Sequence, residues 1–229
     1  DRPVAQVAVR LSDRAPDGKA TRVTYGLLNL CHRHGHDAPQ YLEPGRRERV
    51  RVPLDHIAQS FPAGHRLRLS VSTSYWPLVW TPPEPVQLTI HPASSRLELP
   101  VRPPRPEDAQ LEAFEPAEAA PPPERTALEA GEANWTINRD LARDESTLHV
   151  IEDQGVVRLE ELGLAVGRAG EEWYRVRGDD FASPNGETVH HRSLTRGDWS
   201  VATETRTLVW CDAEHFHTAL LEFLDAVIE

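Results

Sequence analysis

The sequence predicts an all-β chain, an antiparallel sandwich or barrel. Two observations carry this expectation: short segments in which apolar and polar residues alternate, and turn residues that punctuate them at regular intervals. A third supports them, since few segments show a helical period. VAQVAVRL (4–11), RVTYGLLNL (22–30), RERVRVPL (47–54) and HRLRLSVSTS (65–74) each place one face on a core and one toward solvent. Between them lie Ala15-Pro16-Asp17-Gly18, Glu43-Pro44-Gly45 and Pro62-Ala63-Gly64, where proline presets φ and glycine tolerates a positive one. A second set follows residue 134: STLHVIE (146–152), VVRLEEL (156–162), EEWYRVRG (171–178), ETVHHRSL (187–194) and WSVATETRTLVW (199–210). The ending HFHTALLEFLDAVIE fits a strand or a short helix.

The stretch between the two sets, residues 100–133, is rich in Pro, Ala and Glu. Its composition fits a linker between domains, or a crossover within one sandwich that Leu111 and Phe114 would dock.

Bulk properties narrow the function classes. No apolar run is long enough to cross a bilayer as a helix, so no membrane partner is expected. A net charge of −11 argues against a nucleic-acid partner, because phosphate neutralisation needs a cationic surplus. Arginine supplies nearly all the positive charge, Lys19 being the only lysine. Cys31 and Cys211 are too few for a disulfide framework. The chain opens without methionine or a signal-peptide pattern and reads as a piece of a longer protein, with the cytoplasm the expected compartment.

Three constellations invite chemistry. An α/β-hydrolase nucleophile needs G-x-S-x-G on a strand-to-helix turn, and none of the thirteen glycines sits in that pattern. No catalytic residue is therefore expected in this chain. CHRHGHD (31–37) puts His32, His34 and His36 at alternate positions, which could bring three imidazoles to one side for zinc or copper. Gly35, Arg33 and Pro39 disrupt such a site, and the favoured reading is a strand running out into a polar loop. SYWPLVW (74–80) concentrates Tyr75, Trp76 and Trp80 directly after a strand. Exposed aromatics there would stack on sugar rings; the favoured reading is that they fill a core edge or a contact with another domain.

VRLSDRAPDGKATRVTYGLLNLCHRHGH, YLEPG and LDHIAQSFPAGHRLRLSVSTSYWPLVWTPPEPVQLTIHP together resemble the C-terminal domain of X-Pro dipeptidyl peptidases and cocaine-esterase-like acyl hydrolases. The likeness is strongest over residues 1–101 and looser through 134–216, in WTINRD, GDDFASPNGE and RGDWSVATET. The resemblance implies a jelly-roll β-sandwich of the galactose-binding-domain-like type, with 1–229 one domain and 100–133 its internal crossover. It also implies a non-catalytic accessory role beside an upstream α/β-hydrolase domain that carries the Ser, Asp and His. No cofactor or metal follows from it. Tyr75, Trp76, Trp80, His32, Arg33 and His36 become candidates for an interdomain or binding surface. The family's first and closing strands look absent or replaced, so open sheet edges are expected, with homodimerisation a consequence. A carbohydrate-binding module using Trp76 and Trp80 is the alternative function.

Overall fold

A computed structural model describes residues 1–212 and 214–227, and in them the chain is an antiparallel all-β sandwich of two sheets. The smaller sheet has the order β2-β1-β3, from β1 (Gln6–Arg14), β2 (Ala20–Asn29) and β3 (Arg66–Ser72). The larger is built from β4 (Arg125–Glu129), β5 (Ala133–Asp140), β6 (Glu145–Glu152), β7 (Val156–Leu159), β8 (Leu164–Arg177), β9 (Asp180–Arg196), β10 (Trp199–Cys211) and β11 (Phe216–Val227). Its main path runs β11-β10-β9-β8-β6-β5, with hairpins at β5-β6 and along β8 to β11, while β7, between β6 and β8 in sequence, joins the early half of β8 and carries β4. Arg196-Gly197-Asp198-Trp199 is the tight turn between β9 and β10, with Gly197 at φ +59° and Arg196 paired to Trp199.

Register sorts the small sheet into two faces, because directly paired residues of a ladder point the same way. Val7 faces Leu28, Val9 faces Gly26 and Val71, and Leu11 faces Thr24 and Leu69, which makes one apolar face. Ala5, Val7 and Leu30 form its buried centre, with Val9, Leu28, Leu42, Val52, Val86 and Leu88 packed around them. Segment 46–55 lies across this face. The Asp55 N–H donates to the Tyr25 carbonyl at 3.0 Å, and Thr24 Oγ1 donates to the Asp55 carbonyl at 2.8 Å. Gly26 makes the approach feasible, since a Cβ there would collide with the Pro53 carbonyl.

The larger sheet also divides by register. Leu148, Tyr174, Gly186 and Val209 share one face, while His149, Trp173, Glu187 and Leu208 share the other. The second face carries a polar cross-strand ladder: His149 stacks on Trp173 at 4.9 Å and meets Glu171 at 2.9 Å, and Glu187 bridges Arg175 and Arg206.

Three features depart from the sequence expectation, and a fourth settles an open one. RERVRVPL (47–54) forms no strand, because Pro53 offers no N–H to a ladder and the segment caps a sheet face instead of extending its edge. The stretch 100–133 contains β4 and the first residue of β5. Leu111 and Phe114 do not dock it; Leu111 is 72% and Phe114 103% exposed. The C-terminal segment is the strand β11 and pairs with β10 over its whole length, from Ser200↔Val227 to Cys211↔Phe216.

Candidate functional site

SYWPLVW leaves β3 and turns between the two sheets. Tyr75 lies over the second face of the small sheet, with its ring edge-on to Tyr25 at 5.8 Å and the Arg10 guanidinium 4.8 Å from its centroid. Arg22 Nη1 donates to the Tyr75 hydroxyl at 2.6 Å, and Gln6 Nε2 donates to the Trp80 carbonyl at 2.9 Å. The two tryptophans point the other way. Trp76 meets Trp80 edge-to-face at 5.0 Å and Tyr174 at 6.1 Å, and Trp80 meets Phe216 at 5.2 Å. Trp80 Nε1 donates to Cys211 Sγ at 3.2 Å, a contact spanning 131 positions of sequence. One heptapeptide therefore grips β1 and β2 with its first aromatic, and β8, β10 and β11 with its other two.

The large sheet is shaped to receive it. Gly186 stands opposite Tyr174 and Val209, where an added Cβ would sit 3.0 Å from Val209 Cγ1. Burial and the hydrogen bond to Glu172 push the Tyr174 phenol up to about 12, so it remains a neutral donor. Below Trp80, the turn joining β10 to β11 holds Cys211 and Phe216 in place. Asp212 is its anchor: its carboxylate accepts from His217 and from the backbone N–H groups of Glu214 and His215, which hold it down to about 2. Trp210 stacks on His217 at 5.2 Å across the same hairpin.

The histidine-rich loop lies on the other side of the small sheet's core. Asn29 caps a single 3-10 turn, Leu30–His32, by accepting from the Cys31 N–H at 3.0 Å. Arg33 then doubles back. Its side chain is 6% exposed and Nη1 donates to the carbonyls of Leu30 at 3.1 Å and Gln40 at 2.7 Å, with Glu48 4.0 Å away. Three carbonyls of one loop, counting Tyr41 at 3.5 Å, converge on one planar guanidinium. His32 and His36 stack on each other at 4.8 Å, and His34 points outward and is exposed. Cys31 is buried with Sγ 3.7 Å from the Pro3 carbonyl. Among the described residues no group of three or more His, Cys, Asp or Glu side chains is arranged to hold a metal ion.

The structure thus separates the six candidate surface residues into two places. Tyr75, Trp76 and Trp80 meet at the joint between sheets; His32, Arg33 and His36 close a loop over the opposite edge. Sequence reasoning missed the receivers, Tyr174, Cys211 and Phe216, because nothing local marks a residue as the far side of a long-range contact.

These features define a β-sandwich whose most distinctive aromatics are engaged by its own strands. A model of the family described as the X-Pro dipeptidyl-peptidase C-terminal non-catalytic domain matches residues 1–128, and the chain belongs to that family. No curated protein and no solved structure matches it.

Two substitutions probe this geometry. Trp80→Ala is expected to destabilise the chain by about 2–4 kcal/mol through lost burial and edge-to-face contacts; urea unfolding measures it, and a loss below about 0.5 kcal/mol would mean the joint carries no stability. Arg33→Lys is expected to cost about 1–2 kcal/mol because an ammonium cannot span the three carbonyls. His34→Ala is expected to be nearly silent, and thermal melts that ranked the two the other way would overturn the loop's assignment.

Proposed function

We propose that residues 1–229 form one accessory domain that packs on the catalytic domain of a serine acyl hydrolase or X-Pro dipeptidyl peptidase and helps shape substrate access. The family match carries the non-catalytic, C-terminal part of this reading. Surface area supports the packing part. The described residues expose 17316 Å², against about 10,400 Å² for a compact monomer of this mass. Large apolar side chains are part of that surface: Leu67, Leu69 and Val71 project from one face of β3, and Phe216, Leu220, Phe223 and Leu224 from β11. Contiguous apolar strands of this kind are interaction surfaces when they occur in native proteins. Contacts from Trp76 to Tyr174 and from Trp80 to Phe216 and Cys211 support a single unit spanning the Pro-rich stretch.

The carbohydrate-binding reading has less support. A sugar platform needs an aromatic face open to solvent, and the rings of Trp76 and Trp80 are partly buried and engaged edge-to-face within the chain.

The reading predicts that the 229-residue chain takes up no fluorophosphonate probe, whereas the same chain extended upstream through its catalytic domain is labelled stoichiometrically. It also predicts that hydrogen exchange at Leu67–Val71 slows in the extended protein. Labelling of the 229-residue chain, or unchanged exchange at β3, would overturn it.

A further inference from the structure

The second face of the small sheet concentrates positive charge that no ion pair among the described residues neutralises. By register, Arg14 stands directly opposite Arg66, Ser12 is flanked by Arg68 and Arg22, and Arg10 stands between Ser70 and Tyr25. No Asp or Glu occupies this face: its remaining strand positions are Gln6, Ala8, Ala20, Leu27, Asn29 and Ser72. Asp13, on the same strand, points to the opposite face and binds His65 at 2.8 Å. Among the described residues none of Arg10, Arg14, Arg22, Arg66 and Arg68 makes an ion pair. Like charges directly opposite across a ladder are destabilising. In a chain of net charge −11, such a face is expected to have an anionic partner.

The chain carries a complementary segment. Residues 106–124 hold Glu107, Asp108, Glu112, Glu115, Glu118 and Glu124 and no Lys or Arg. Asp108 pairs with Arg102, while the five glutamates are exposed and make no ion pair among the described residues. Phe114, also exposed, supplies an aromatic face of the kind on which guanidiniums stack. Among the described residues no hydrogen bond or ion pair joins this segment to the arginine face; Asp108 is held by Arg102 and the Arg105 N–H.

We infer that the arginine face is a docking site for the acidic segment 106–124 of a second copy of this chain. Each copy offers one face and one segment, so the contact closes reciprocally into a two-fold dimer. Carboxylates of Glu112, Glu115 and Glu118 pair with Arg22, Arg66 and Arg68, in the bidentate geometry that arginine favours. The association is electrostatic and therefore weakens as salt shortens the screening length from about 10 Å at 0.1 M to about 3 Å at 1 M.

Sedimentation velocity on the 229-residue chain tests this. At protein concentrations on the order of 100 μM, a dimer is expected in 0.1 M NaCl and a monomer in 1 M NaCl. Arg66→Glu/Arg68→Glu and Glu112→Lys/Glu115→Lys are each expected to be monomeric alone. Mixed in equal amounts they are expected to restore the dimer, because each reversed face then meets a reversed segment. The second variant lies in an exposed segment outside the sheets, so it reports on docking independently of folding. A wild-type monomer at low salt overturns the proposal. So does a dimer that survives both charge reversals, which would locate the interface at an apolar edge such as β11.

Discussion

Contact of the half-buried Trp76 and Trp80 with Tyr174, Phe216 and Cys211 is the interaction on which the rest of the arrangement depends. The two sheets come from separate halves of the chain and share no strand pairing. The smaller sheet has its own apolar centre around Val7 and Leu30, and the larger has few fully buried side chains, Val150 and Pro184 among them. Direct strand-to-strand contacts between the two sheets are few among the described residues, so the large rings at the joint supply much of what links them. Aromatic side chains suit that task, since each removes a large apolar area from water and an edge-to-face pair adds about 0.5–1.5 kcal/mol.

The same economy explains the open surfaces. The two sheets leave β2, β3, β4, β5 and β11 as edges, and strands that expose Leu69 or Phe223 are unusual for a domain that stands alone. Membership in a family of C-terminal, non-catalytic domains gives those surfaces a context, because such a domain accompanies a catalytic one. The arginine face differs from them in kind. It is charged, it repels itself across Arg14 and Arg66, and its complement is present elsewhere in the chain as an acidic segment.

Much of the fold was legible in the sequence, because period-two alternation is a local signal. The segments at 4–11, 22–30, 65–74, 146–152 and 199–210 all became strands in nearly the expected places. RERVRVPL alternates equally well and failed, since alternation reports a buried side and an exposed side but not whether the backbone is paired. Val52 does reach the core, from a segment lying across the sheet and not within it. For the site, the density of aromatics in SYWPLVW was legible and its destination was not. Which strand receives Trp80 depends on a contact 131 residues away. Likewise HRLRL displays its arginines openly, yet only the register with β1 and β2 places Arg66 and Arg68 beside Arg14 and Arg22. In CHRHGHD the eye goes to the histidines, while the residue that organises the loop is Arg33.

The central claim is that the aromatic joint makes the two sheets one cooperative unit. Hydrogen exchange followed by mass spectrometry through a urea transition tests it directly, with β1–β3 and β8–β11 read separately. The account predicts that both sets of strands lose protection at the same midpoint and with the same steepness. Two resolved midpoints, with one sheet still protected after the other has opened, would contradict it.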